Sequence, residues 1–217
     1  MEFFNLPNTC HVYRVIPKNA FDSYTNTKNK KLFKDKVSRI TWTHKLSKET
    51  INLKSDEINE IQIFKIELKV KERIDTLLEI IDKAIPYNIV FFIQFDDFAY
   101  LSTSTKHLHP ANEDNAIVDW TFNCEWKNID SIKYQLNLKK SLDAVFKDIC
   151  MQISGRADLI SKSLSEIVQN QQAIKKLQKE ISLLKSKISN SKQFNKKVEM
   201  NLELKEKEKE LTMLYVN

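Results

Sequence analysis

A single glycine, Gly155, serves all 217 residues. Loops that cradle phosphate rely on glycine for close backbone approach. Neither a G-x-G-x-x-G turn nor a Walker loop can therefore be written here, and P-loop nucleotide hydrolysis is excluded. Cysteine is nearly as scarce. Cys10, Cys124 and Cys150 are odd in number and far apart, with no C-x-x-C. That argues against a zinc ribbon or a redox pair, and for reduced structural thiols in a cytoplasmic protein. Long apolar runs are missing as well. The longest, residues 89–93, falls far short of the roughly 18 residues that a membrane span needs. The start, Met1-Glu2-Phe3-Phe4-Asn5-Leu6-Pro7, lacks the basic and apolar segments of a signal peptide. The expectation is a soluble cytoplasmic protein without a membrane partner.

What is present suits one compact domain with an appendage. Apolar residues make up 41% and aromatics 10%, enough for a core. Charged residues make up 29%, and 35 basic against 29 acidic side chains leave a net charge of +6. That sign is compatible with a polyanionic partner such as DNA, although the two charges are interleaved rather than massed.

The stretch that organises the chain is Ile61-Gln62-Ile63-Phe64-Lys65-Ile66-Glu67-Leu68-Lys69-Val70. Its period-two alternation predicts a β-strand with Phe64, Ile66, Leu68 and Val70 on a core face. Lys65, Glu67 and Lys69 fall on the other face. Ahead of it, residues 12–16 form a short strand-like patch, and spacings of three and four predict a helix over 28–39. Ile40-Thr41-Trp42-Thr43-His44-Lys45-Leu46 reads as a strand from its β-branched and aromatic content, residues 47–50 as a turn and 54–57 as a polar loop. Ile74, Leu77, Leu78, Ile81 and Ile85 make the apolar stripe of a helix over 71–84, stopped by Pro86. Residues 88–95 are nearly all apolar and read as a central strand covered on both faces. Residues 100–104 pair back with it, 107–115 read as a loop, 117–122 as a strand and 138–153 as a closing helix. Trp42, Trp120 and Trp126 are assigned to the core rather than to base stacking. The fold class expected is α+β: a layered domain over 1–156, with a central mixed sheet flanked by helices.

Beyond Arg156 aromatics nearly vanish. Ile160, Leu164, Ile167, Gln171, Ile174, Leu177, Ile181, Leu184 and Ile188 repeat at threes and fours, the seam of a coiled coil. Ser189-Asn190-Ser191 interrupts it, and Phe194, Val198, Leu202, Leu211 and Leu214 predict a second helix. Residues 157–217 are thus expected to form an antiparallel helical hairpin or coiled coil. Such a seam needs a partner surface, within one chain, in a homo-oligomer or on another protein.

Four stretches resemble a bacterial family classed as a domain of unknown function (number four-three-nine-one). They are Ile40-Thr41-Trp42-Thr43-His44-Lys45-Leu46 with Thr50-Ile51-Asn52-Leu53, and Glu60-Ile61-Gln62-Ile63-Phe64 running into Ile66-Glu67-Leu68-Lys69. The others are Ile81-Asp82-Lys83-Ala84-Ile85-Pro86-Tyr87, and Lys192-Gln193-Phe194-Asn195-Lys196-Lys197-Val198-Glu199. The Asp-Lys-Ala-Ile-Pro-Tyr segment is the most specific. The resemblance implies an accessory protein of a phage-defence or restriction system, with a helicase or DNA methyltransferase as partner. It transfers no catalytic residue.

Two chemistries are written in the residues themselves. Glu67-Leu68-Lys69 has the acid-x-Lys form of a restriction-endonuclease-like nuclease, in which two carboxylates bind Mg²⁺ and the lysine orients water. Asp56, Glu57 or Glu60 would supply the other acid. Acid-x-Lys is common in lysine-rich chains and recurs in Glu206-Lys207-Glu208-Lys209. His107 and His109, near Glu113 and Asp114, lack a clear third ligand and read as surface residues, so no metal site is assigned. His44 reads as a packed residue. The second chemistry is binding. Lys28, Lys30, Lys31 and Lys34 cluster on the 28–39 helix, and a phosphate-contacting face is one reading of them, a solvated face the other. Docking needs fewer coincidences than catalysis. A non-catalytic interaction subunit without cofactor is the first expectation, and the Mg²⁺-dependent nuclease the alternative.

Overall fold

The computed structural model describes residues 4–156, 159 and 161–216, without the side chains of Glu113, Asp114 and Val216. Residues 1–3, and Ile160 at the head of the expected seam, lie outside the described residues. The chain divides into two compact units, Met1–Ser161 and Lys162–Asn217.

The first unit is built on a seven-stranded mixed sheet. Strands β1 (His11–Ile16), β2 (Val37–Ser47) and β3 (Glu60–Leu68) pair antiparallel in succession, β1 on β2 and β2 on β3. Strand β4 (Asn88–Phe95) lies parallel to β3, reached through helix α3 (Asp75–Ala84). Strands β5 (Phe98–His109) and β6 (Asn112–Asn123) continue antiparallel, and short β7 (Lys127–Asn128) pairs with the start of β5. Helix α1 (Thr27–Lys36) precedes β2, one-turn α2 (Lys48–Ile51) follows it, and α4 (Leu142–Ser154) closes the unit. This is the mixed α+β architecture that the alternation patterns imply.

Residues in register share a face of the sheet. Ile40, Ile66, Ile93 and Tyr100 lie side by side on one face, where α3 packs. Thr41, Lys65, Phe92 and Leu101 lie side by side on the other, where α4 packs against β3, β5 and β6 and leaves the β1–β2 side open. Residues 89–93 of β4 are therefore buried on both faces. Phe64, Ile66 and Leu68 are buried as their alternation requires, whereas Val70 lies beyond the end of β3 and is exposed.

Several element ends differ from those expected, among them the closing helix, which begins at Leu142 rather than at 138 because Ser141 caps it there by accepting from Ala144 N. The helix over 28–39 stops at Lys36, because Val37 pairs with Leu68 and begins β2. The helix expected from residue 71 begins at Asp75. Lys71 Nζ sits 3.2 Å from the centroid of Phe98, Arg73 holds Asp75 through two nitrogens, and Tyr100 Oη accepts from Ile74 N, so the chain stays non-helical until 75. Residues 107–115 are no loop: the β5–β6 hairpin runs through them and turns at Pro110 and Ala111. The described side chains among them are largely solvated, so no apolar alternation marks the strands. The lone glycine ends α4 with φ of 68°, a left-handed cap that only glycine adopts without strain.

Helices α5 (Leu164–Asn190) and α6 (Phe194–Val216) form the second unit, an antiparallel hairpin. Ser163 and Glu166 close a capping box at the start of α5. Ile174, Leu177, Ile181 and Leu184 are buried, as the seam predicts. The seam of α6 is another matter. Met200, Leu204, Lys207, Leu211 and Leu214 are among its shielded positions, and Lys207 Nζ meets Glu180 Oε2 at 2.6 Å. Phe194, Val198 and Leu202, expected at this seam, stand on the exposed side. Counting back from Leu214 in threes and fours explains the correction, since that walk lands on Leu204 and Met200.

One buried ion pair ties α3 to the sheet. Lys106 Nζ on β5 donates to Asp82 Oδ1 at 3.1 Å, to Asp82 O at 2.9 Å and to Ile85 O at 2.8 Å. Ser104 Oγ donates to Asp82 Oδ2 at 2.8 Å. The two charged side chains are 0% and 3% exposed. Burial pushes the Asp82 carboxyl up and the Lys106 ammonium down from their ordinary values. Such a pair adds little net stability, yet removing one partner strands a buried charge. Lys106→Ala should cost about 3–5 kcal/mol in urea unfolding, and Asp82→Leu combined with Lys106→Met should regain most of that loss.

Candidate functional site

The uncovered part of the sheet forms a cleft of about 420 Å³, a volume typical of small-molecule sites. Its floor is Ile63, Lys65 and Glu67 of β3 with Phe92 of β4, and β2 contributes Arg39, Thr41, Thr43 and His44. Arg39 lies opposite Glu67 in the β2–β3 register, and Thr41 opposite Lys65. His11 and Tyr13 of β1 and Phe4 complete the wall.

The β1 wall is irregular. Its register on β2 shifts between His11 and Arg14, and Tyr13 within that shift has φ of 49°. A bulky residue in the left-handed region costs about 1–3 kcal/mol, retained only where the surroundings impose it. The ring is 71% exposed, with the Arg39 guanidinium 6.0 Å from its centroid. Behind it the His11 and His44 rings meet edge to face at 4.6 Å. Thr43 Oγ1 donates its one proton to Ile63 O at 3.0 Å, so His44 Nδ1, 3.0 Å from that hydroxyl, is the donor to it.

Glu67 is thus a cleft residue, but its neighbours are cations. Lys65 Nζ donates to Glu67 Oε1 at 3.2 Å, a partly solvated pair worth about 0–1 kcal/mol. Lys69 is not beside it. With β3 ending at Leu68, Lys69 Nζ instead donates to Lys34 O at 2.8 Å, a cation at the C-terminal end of α1. Glu60 opens β3 and Glu67 nearly closes it, so seven residues at about 3.3 Å each keep them roughly 23 Å apart. Glu60 pairs with Lys45 at 2.9 Å and accepts from Gln62. Asp56 and Glu57 are tied to the start of α4, their backbone N–H groups donating to Asp143 at 2.9 and 3.0 Å. The structure therefore brings Glu67 to Lys65 and Arg39, and not to Lys69, Glu60 or, within the cleft lining, Asp56.

The remaining candidates are scattered. Lys28, Lys30, Lys31 and Lys34 are all exposed on α1, and Lys30 reaches Asp22 at 3.5 Å. His107 Nδ1 lies 3.0 Å from Asp119, and His109 Nδ1 accepts from Ala111 N. The side chains of Glu113 and Asp114, the acids considered with these histidines, lie outside the described residues. Among the described residues no three His, Cys, Asp or Glu side chains gather closely enough to hold a metal ion. No helix among them is long and apolar enough to cross a membrane. Cys10, Cys124 and Cys150 are buried free thiols.

The sequence fits the family model for the domain of unknown function DUF4391 over residues 4–211. The chain belongs to that family. No curated protein matches it, and no solved structure does. The DUF4391 match takes in the sheet-based unit and most of the hairpin, so both are parts of the family's own chain.

Sequence reasoning found Glu67 and missed Arg39, Tyr13 and His11. Arg39 was legible in principle: with β2 starting at Val37, it falls opposite Glu67. Nothing in the sequence marks Tyr13, because a left-handed tyrosine has no residue signature. Asp143 was also missed. Burial alone would raise its carboxyl, yet backbone N–H groups of Asp56, Glu57, Ile58 and Asp143 itself together hold it below the usual carboxylate value. The unfolded chain therefore binds the proton more readily, and stability rises with pH across that window. The contribution is complete above the unfolded value, near 3.9, and is lost as pH falls through the folded one. Asp143→Asn should cost about 1 kcal/mol at pH 7, discounted for its exposure, and in acid unfolding the difference should shrink as pH falls below the unfolded value and through the folded one.

Proposed function

We propose that this DUF4391 protein is a non-catalytic accessory subunit of a bacterial phage-defence system. It docks on a helicase or methyltransferase through its α+β unit and its C-terminal hairpin, and its α1 lysines contact DNA. The observation that carries the docking role is the second apolar stripe of α6. Phe194, Val198 and Leu202 repeat at i, i+4 and i+8 on the side turned from α5, and Phe194 is 77% and Leu202 60% exposed. A helix already packed along one stripe gains nothing intramolecular from a second. Exposed large apolar side chains in one row are what a helix presents to a partner groove. The defence setting is taken from the family resemblance. Cations rather than acids beside Glu67 favour docking over Mg²⁺-dependent hydrolysis, the alternative role of Glu67, Lys69 and Asp56.

The stripe and the cleft acid separate the two. Val198→Glu with Leu202→Glu should weaken capture of the purified helicase or methyltransferase encoded alongside by at least tenfold, with circular dichroism unchanged. Glu67→Ala should leave that complex intact. Undiminished capture by the stripe variant would remove the docking role. Loss of Mg²⁺-dependent DNA cleavage on Glu67→Ala would establish the nuclease instead.

A further inference from the structure

We infer that the cleft over β1, β2 and β3 binds a nucleotide, its base stacked on Tyr13 and its phosphate held by Arg39 and Lys65. Charge is the first argument. Arg39 and Lys65 project from adjacent strands into one cavity whose wall holds a single carboxylate, Glu67. That carboxylate engages Lys65 through one bond at 3.2 Å in a pair that is about one-third solvated. A phosphate entering the cleft exchanges one oxygen for another at Lys65 and gains the planar fork of Arg39.

The second argument is the strain at Tyr13. A bulge on an edge strand guards against sheet-to-sheet pairing, but any residue serves that purpose, and glycine or asparagine does so at φ of 49° with less cost. Here the left-handed position is filled by a tyrosine whose ring stands in solvent at the mouth of a cavity. Its guanidinium neighbour at 6.0 Å completes a platform on which a flat π-system stacks. An exposed aromatic face, two permanent cations and an apolar floor of Ile63 and Phe92 together match a ligand that is aromatic at one end and anionic at the other. About 420 Å³ admits one nucleotide. A base inside a duplex is stacked on its neighbours and hidden from Tyr13, so the nucleotide is either free or part of a single strand.

The test uses the full chain, fluorescein-labelled ten-residue oligothymidylate by anisotropy and thymidine monophosphate by calorimetry. Saturable binding of at least one probe is expected. An oligonucleotide at least tenfold tighter than the monophosphate assigns the site to single strands, and equal affinity assigns it to free nucleotide. Arg39→Gln and Tyr13→Gly should each weaken binding roughly five- to hundredfold, while Tyr13→Phe keeps it. Glycine relieves the left-handed backbone, so Tyr13→Gly should raise Tm as it loses binding, which separates lost contact from lost fold. The assignment is overturned if neither probe binds, or if both variants bind as the parent does. It is equally overturned if inorganic phosphate displaces the monophosphate as well as unlabelled monophosphate does, or if duplex DNA displaces the monophosphate from the cleft as well as the single strand does.

Discussion

Everything in the sheet-based unit depends on the parallel pairing of β3 with β4. The two strands lie at the centre of the sheet, in register from Ile61 and Asn88 to Glu67 and Gln94, and a parallel pair can be joined only by a crossover. Helix α3 supplies it, and its apolar stripe covers the face that carries Phe64, Ile66, Phe91 and Ile93. The crossover is pinned at its far end by Lys106 of β5, which donates to Asp82 O and Oδ1 and to Ile85 O just past the end of α3. An ion pair in that position fixes where α3 ends more than it adds to stability, since desolvation opposes both of its charges.

The cleft is the consequence of an unequal cover. Helix α4 packs on the second face against β3, β5 and β6, and the cover gives out over β2 and the end of β3, where Arg39, Thr41, Lys65 and Glu67 line an open cleft. The same strand that gives the core Phe64 and Ile66 therefore gives solvent Lys65 and Glu67. Period-two geometry makes this automatic: one strand buried on one side and open on the other must carry alternating chemistry. Arg39 arrives on that face only because α1 stops three residues before it, at Lys36. A helix continued to residue 39 would have removed the cleft's guanidinium.

What was readable in the sequence was whatever repeats over many residues against a single partner. The alternation of β3, the unbroken apolar run of β4, the stripe of α3 and the α5 seam each carry their burial in their spacing. What was not readable depends on contacts between distant segments. The strands at 107–115 are held by each other rather than by a core, so their side chains follow no pattern. The start of α3 is set by Phe98 and Tyr100, some 25 residues on in the chain. α6 carries two apolar stripes, and only Leu211 and Leu214 belong to the one that meets α5; the other three residues of the expected seam face outward. For the site, Glu67 was legible as an acid on the open face. Its partners were not, because register decides them and a tyrosine in the left-handed region leaves no trace in composition.

The sheet divides into a rigid centre, which is the floor of the cleft, and a strained edge, which is its wall. Native-state hydrogen exchange of the free protein reads that division directly. The amides of 61–67 and 89–93 are expected to exchange only through global unfolding, with the same denaturant dependence as the whole unit. Those of 11–15, around the left-handed Tyr13, should open at a far smaller free energy. If 61–67 exchange as readily as 11–15 do, the β3–β4 pair is not the centre of the fold, and the cleft has no fixed floor on which to hold a ligand.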